Sequence, residues 1–479
     1  MILSFILFLG LFALIGISSV FKSKGTKEDY YLASSSIPPP LVGLSAVATN
    51  NSGYMFIGVI GYTYVTGLAS IWLMIGWIAG DFIGSTFIHH RLRKATERTG
   101  EVTFAGVLNK WNDHPNPLLQ KVIAVISLIF LLAYASAQLV AGSKALQVLF
   151  GWPNWAGATI GAVLVVIYCF SGGIRASIWT DGAQSIVMML AMGLMLVVGT
   201  LSFGGINGAI AQMKQVEGFM DWFPKNLVFP RLAGGILFAV GWAFAGISVV
   251  GQPHIMVRFM ALSETSKMRK ARLWYYTWFI LFYVMSTGVG MISRIYLNDT
   301  GTFDAEMALP TMAIQLLPPF LVGLVLAGVF AATMSTADSL ILSCSSALTH
   351  DLPPKKIENQ KLLKAGTGLI TLIALAWALF NKQSVFSLVI MSWSGLASAF
   401  GPLLIYLSLG GKPSKVSTFA AVFTGLVVAL GWRFLGWHNT IYEGMPGILS
   451  GMLTLYLPDL IKKGKKKYRR SMKTEEKLI

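Results

Sequence analysis

The strongest constraint on this chain is a succession of uncharged, mostly apolar runs, each near the length that bridges a bilayer. A crossing helix needs about 20 such residues. Runs of this kind fall near 2–21, 40–63, 68–88, 120–148, 154–171, 184–203, 232–253, 273–293, 315–346, 366–381, 384–409, 417–433 and 444–461. They predict an all-α polytopic membrane protein with about 13 transmembrane helices. Charged residues are only 12% of the 479, roughly half of what a soluble surface carries, so a soluble globule of this size is excluded. The first run has neither a basic start nor a small-residue cleavage site, and reads as a retained span rather than a signal peptide. No gap between runs can hold a nucleotide-binding or receptor domain, and no Walker-type lysine loop occurs, so ATP does not drive the protein directly.

An odd number of spans puts the termini on opposite sides, and the positive-inside rule selects the side. With the C-terminus cytoplasmic and the N-terminus outside, 30 of the 37 Lys and Arg fall on inner segments. Seven remain outside: Lys144, Lys214, Lys225, Arg231, Arg294, Lys382 and Arg433. The formal net charge of +17 is then mainly an inner-face charge, and the tail run Lys462 to Arg470 sits against anionic lipid headgroups. That run lacks interleaved aromatics beyond Tyr468, which argues against nucleic-acid binding. Two cysteines, Cys169 and Cys344, in apolar runs exclude a disulfide framework and a cysteine-rich metal site.

Polar residues inside spans are costly and by default mark function. Asp81, near the inner end of the third run, fits a cap or an interhelical bond better than ion binding. Asp338 lies in AATMSTADSLILSCSS, where Ala332, Ser335, Asp338 and Ser339 share one helix face by steps of three and four. Polar helix contacts are common in membranes and account for the serines; a carboxylate deep in the run favours a hard cation held by oxygen ligands. Thr49-Asn50-Asn51-Ser52-Gly53 is a poor helix former, and in a membrane such a segment survives where it lines a cavity. A second interruption is expected around Gly241, Gly246, Gly251 and Pro253. Broken helices five spans apart are the pattern of an inverted repeat with binding at the midplane.

Five segments carry a resemblance: DYYLASSS at Asp29, SAVATNNSGY at Ser45, WTDGAQ at Trp179, GQPHIMVRFMA at Gly251 and AATMSTADS at Ala331. Together they resemble the sodium/solute symporter family, in particular its sodium/proline branch, over nearly the whole chain. The resemblance implies a leucine-transporter-type 5+5 inverted-repeat core with added helices. It divides a single transporter domain, 1–479, into a first helix and inner loop (1–39), a first repeat (40–203), a second repeat (204–409), two additional helices (410–461) and a basic cytoplasmic tail (462–479). It implies a main sodium site at Ala48, Asn51, Ala332, Ser335 and Thr336, and a second sodium near Asp181, Ser335, Asp338 and Ser339. The substrate region maps onto Asn50, Ser52, Gly53, Tyr134, Ala245 and Val249.

Departures accompany the match. The proline branch carries an aspartate at Asn50, an arginine at Ser35, and aromatics at Ala245 and Val249. Sodium coupling therefore transfers better than proline specificity, and a roomier, less aromatic wall is expected. The function implied is not that of an enzyme. It is sodium-coupled symport across the plasma membrane of a small organic solute: proline, another amino acid or a small zwitterion, with no organic cofactor. The alternatives are a monocarboxylate, a sugar or a vitamin-like solute, and a proton-coupled or channel-like permease. The sequence says nothing of oligomeric state.

Overall fold

The computed structural model describes residues 1–22, 24–112, 115–229, 231–297 and 303–458. The basic tail from Lys462, with its headgroup reading, lies outside the described residues. All thirteen apolar runs are helical as far as they are described. Among the described residues, nine helices are long and apolar enough to cross a membrane. One of them, Pro39–Ser85, covers two runs, and two further runs form the shorter helices Ile2–Ser18 and Asn154–Phe170. The last run is helical over 444–458, where the description ends.

Two helices are interrupted in mid-course. The first, Pro39–Gly53, starts on Pro39 at a position that needs no backbone donor, and breaks at Ser52 (φ 15, ψ −179). The chain continues as a wide turn over Tyr54–Val59 and then as the helix Ile60–Thr66. The second runs as Arg231–Ile247, narrows to one tight turn at Ser248–Gly251, goes extended at Gln252 (φ −98, ψ 99) and resumes as Pro253–Met260. Proline cannot donate an amide bond, and it pushes the preceding residue out of the helical region, so Gln252-Pro253 fixes this break. Gly241 and Gly246 lie within continuous helix rather than at the interruption. Gly246 instead permits a close crossing, because a Cβ there would strike the Trp77 carbonyl and come within 2.6 Å of the Asp81 amide. Small residues let membrane helices approach in this way.

The resumed helix Pro253–Met260 packs on Pro39–Gly53, and the loops outside them pair through Ile37 N to Ala261 O (3.2 Å) and Ser263 N to Ile37 O (2.9 Å). The hydroxyl-rich helix Pro319–Ser346 lies against the first broken helix, against Pro117–Phe150 and against the segment Asn154–Leu201. That segment is two helices, parted by non-helical backbone at Gly172 and Gly173.

Candidate functional site

The break at Ser52 leaves backbone groups that need partners, and side chains of neighbouring helices supply them. Gln138 Oε1 accepts from Gly53 N (2.9 Å), Ser52 Oγ accepts from Tyr54 N (3.1 Å), and Tyr134 donates its hydroxyl to Ser52 Oγ (3.2 Å). Only glycine fits at position 53, since a Cβ would collide with the Thr333 methyl and stand 3.0 Å from Gln138 Oε1. The structure thus brings together Ser52, Gly53 and Tyr134, all buried.

The hydroxyl face of Pro319–Ser346 meets the same turn. Thr336 Oγ1 donates to Thr49 O (3.0 Å), and the Thr49 and Ser339 hydroxyls are 3.2 Å apart. Ala48, Asn51, Ala332, Ser335 and Thr336 are all buried in this contact region. The Ser335 hydroxyl faces the Asp181 carboxylate, in a contact too loose to satisfy either Ser335 Oγ or Asp181 Oδ1 fully. Buried oxygens without donors are costly, and oxygen ligands of this kind suit a hard cation. The donor set fits sodium, with Ser335 and Thr336 presenting hydroxyls opposite the last turn before the break.

Asp181 and Asp338 are fully buried neighbours, and a residue not singled out above joins them. Arg258 has a guanidinium with no exposed surface, 3.7 Å from Asp181 Oδ2. It donates to Ser177 Oγ (2.6 Å) and to Ser339 Oγ. Ser177 also donates to Asp338 Oδ1 (2.9 Å), and Ser45 donates to Asp181 Oδ2 (2.5 Å). Arg258, counted above with the inner-face charge, is therefore a bundle-interior counter-ion. One guanidinium faces two carboxylates, so the cluster is balanced only when one carboxyl holds a proton or a cation joins it. Asp338 Oδ2 is also without a partner.

Two residues of the expected substrate region have further neighbours. The Asn50 amide donates to Asp81 Oδ2 (3.2 Å) and to the Tyr275 hydroxyl. Tyr275 and Tyr276 each donate to Asp81 at 2.7 Å. Asp81 is thus the hub of an interhelical bond network, the bland reading of that residue. At Ala245 an aromatic ring from another helix stands close to the backbone. Trp393 donates its indole N–H to Ala245 O (2.8 Å), and its ring packs on Trp77 (5.3 Å between centroids) and His254 (6.4 Å). Trp77 continues to Tyr54 (5.6 Å), and His254 meets Tyr134 edge-on (5.5 Å). His254 is therefore buried between these aromatic rings. Both its ring nitrogens, Gln138 Nε2 and Gln252 Oε1 are buried without partners. Gln252, His254 and Arg258 all stand in GQPHIMVRFMA, so a polar residue at every second or fourth position of an apolar stretch was the signal for them. Trp393, far along the chain, gave none.

Two interrupted helices packed on each other, with a hydroxyl-rich helix against them, are the architecture of a secondary transporter of the leucine-transporter type. The sequence model of the sodium:solute symporter family matches residues 30–418. The chain belongs to that family, and its activity is sodium-coupled symport of a solute. It is 29% identical to the sodium/proline symporter of Escherichia coli (strain K12), over 91% of this chain and 88% of that one. It is 28% identical to the high-affinity proline transporter of Bacillus subtilis (strain 168), over 92% and 94%. Among solved structures, a substrate-bound, outward-open Na+-coupled sialic acid symporter superimposes with TM-score 0.77 at 17% identity, covering 95% of this chain and 96% of that one. A closed nucleobase–cation symporter superimposes with TM-score 0.58 at 15% identity, over 91% and 95%.

Proposed function

We propose that this symporter carries a small amino acid, with proline the leading named candidate, into the cell. The orientation is N-terminus outside and C-terminus cytoplasmic. The observation that carries the site assignment is the pair Ser335 and Thr336 facing the first break, with Thr336 bonded to Thr49 O and Ser335 Oγ unbonded. The main sodium is held by the Ala48, Asn51 and Ala332 carbonyls with those two hydroxyls. The charge left over by Asp181, Asp338 and Arg258 admits one further monovalent cation, and Ser335 and Ser339 complete that second site. The solute lies along Ser52, Gly53 and Tyr134, between the two breaks, against the aromatic wall of Trp77, Trp393 and His254. The repeat boundaries at 40–203 and 204–409 place one break in each half.

Inward movement of one charge releases about 2.3 kcal/mol per 100 mV, enough to offset a roughly 50-fold solute gradient. The relatives' names support proline, while this chain's own wall, rebuilt from different aromatics, argues for a related but not identical solute. Uptake of radiolabelled proline and a panel of other amino acids, betaines, monocarboxylates and sugars into proteoliposomes, with and without a sodium gradient, tests the reading. Sodium-driven accumulation of an amino acid supports it; accumulation only of a sugar or monocarboxylate overturns it.

A further inference from the structure

A cavity of about 340 Å3 lies where the ends of four helices meet, with no lining residue from either broken helix. In the orientation given above it opens at the inner face. Leu108 on Phe104–Lys110, Leu119 on Pro117–Phe150, and Leu403 and Leu407 on Val385–Ser408 supply its apolar lining. Its polar lining comes from Asn109, Asn112 and Asn116 on one side, and from Lys412, Lys415 and Thr418 at the start of Lys415–Phe434 on the other. We propose that this cavity holds the phosphodiester headgroup of an anionic phospholipid of the inner leaflet.

The charges select an anion. Among the described residues, no Asp or Glu lines the cavity, and neither Lys412 nor Lys415 forms an ion pair. Basic pockets between membrane helices on the cytoplasmic side are headgroup sites for this reason. The rim is set before a guest arrives. Asn109 Nδ2 donates to Gln120 Oε1 (2.9 Å), and Asn109 Oδ1 accepts from Asn116 N (2.5 Å). Asn112 donates to Gly411 O (3.3 Å), which ties the segment after Phe104–Lys110 to the loop that carries Lys412. The Asn116 carboxamide makes no capping bond to the helix it precedes. Its two N–H donors are therefore available to a phosphate oxygen.

The apolar lining selects a lipid over a free phosphate. A soluble phosphate gains nothing from four leucines, whereas a glycerol backbone and the top of an acyl chain bury against them. The same character continues outside the cavity. Leu118, Leu409 and Val416, close in sequence to lining residues, are exposed by 60%, 59% and 78%. Exposed apolar side chains beside a basic cavity mark a membrane contact, and acyl chains would cover them. A lipid held here bridges Val385–Ser408, which carries Trp393, to Pro117–Phe150, which carries Tyr134. Occupancy therefore braces two helices of the solute site from the inner side. The leaflet follows from the orientation given above; the chemistry of the cavity does not depend on it, nor on the solute.

Native mass spectrometry of the full chain in detergent, titrated with dioleoylphosphatidylglycerol or with dioleoylphosphatidylcholine, tests it. The proteins are wild type, the double variant Lys412→Gln with Lys415→Gln, and Asn116→Trp, which obstructs the cavity without changing charge. The double variant Lys361→Gln with Lys364→Gln is the control, with the same charge change at other inner-face lysines. The result expected is one phosphatidylglycerol held about tenfold more tightly than phosphatidylcholine. Both cavity variants lose that preference, the control keeps it, and soluble glycerol phosphate does not displace the lipid. Melting temperatures measured without lipid check folding. Lys412 and Lys415 are exposed, so their replacement costs no packing, and the double variant decides the matter should Asn116→Trp not fold. An undiminished preference in the Lys412 and Lys415 variant overturns the inference. So does an equal loss in the control, which would make the attraction a property of the whole inner face. Displacement by glycerol phosphate would give the cavity to a soluble phosphate and overturn the lipid.

Discussion

Arg258 and Asp181 meet 3.7 Å apart with neither side chain reaching solvent. A buried carboxylate pair with one counter-ion retains a charge that must be met by a sodium or a proton. If sodium meets it, reversal potentials in proteoliposomes should give two charges per solute for wild type and one for Asp181→Asn. The variant should also change how uptake varies with pH, because the partner Asp338 then stands with Arg258 alone. One charge per solute in both proteins would remove the second site.

The main site makes a separate prediction. Ser335→Ala removes an unbonded hydroxyl and Thr336→Ala removes the donor to Thr49 O. Each should raise the half-saturating sodium concentration about tenfold, equivalent to ~1.4 kcal/mol, at normal surface expression. Thr336→Ser should retain most of the affinity. Sodium titration of uptake checks this, and unchanged curves for both alanine variants would move the site elsewhere.

Much of this architecture was legible because membrane solvation makes polarity conspicuous. Thr49 to Gly53 and Ser335 to Ser339 stand out since neither can be left facing lipid, and the fold places them in contact. The second break was legible in Gln252-Pro253, but mid-span glycines misled: Gly246 serves a helix crossing, which in sequence looks the same as a hinge. Asn50 was read by its neighbours in the motif, whereas its side chain points to Asp81 on another helix. Trp393 was illegible because only tertiary packing sets it against Ala245, 148 residues away in sequence. Pairwise contacts across such separations leave no local pattern.

The aromatic wall gives a prediction about specificity. Ala245→Trp restores the aromatic type of the proline branch but drives it into Trp393, and overpacking a filled core costs roughly 1–3 kcal/mol. The single variant should melt lower and transport poorly. Ala245→Trp with Trp393→Ala should recover stability and shift preference toward a solute of different shape, read as the ratio of uptake rates across the amino-acid panel. Full activity of the single variant would show that Trp393 does not fill that wall.

Asn50 offers a sharper exchange. Its amide donates to Asp81 Oδ2 at 3.2 Å, so Asn50→Asp, although it restores the residue of the proline branch, sets two carboxylates together in a buried cluster. The expected result is a tenfold or greater loss of uptake. Asn50→Asp with Asp81→Asn returns one carboxylate and one amide to the pair and should recover most of it. Uptake by Asn50→Asp equal to wild type would mean that the two side chains are not in contact during transport.

The last prediction concerns the turn that leads into the first broken helix. Asp29 accepts from Arg175 Nη2, from Lys24 N (2.8 Å) and from Ser34 Oγ (3.1 Å), while Arg175 also donates to Ala33 O (2.8 Å). Ala33, Ser34 and Ser35 all have positive φ, 50, 52 and 48, a conformation that non-glycine residues hold only when their surroundings impose it. Arg175 supplies that anchor, and Ser35 takes no part in it. Burial alone would raise the Asp29 carboxyl, but the bonds from Arg175, Lys24 and Ser34 outweigh it and hold the group below the ordinary carboxylate range. A depressed folded-state pKa contributes stability that is complete above the unfolded value, about 3.9. It is lost as pH falls through the folded value. Asp29→Asn should therefore lower the melting temperature of the detergent-solubilised protein by the same amount at every pH from about 6 to 8. The gap to wild type should close as the medium is taken below about pH 4. Melting curves of the two proteins across that range decide it, and a gap that stays constant into acid would show that Arg175 does not hold Asp29 ionised.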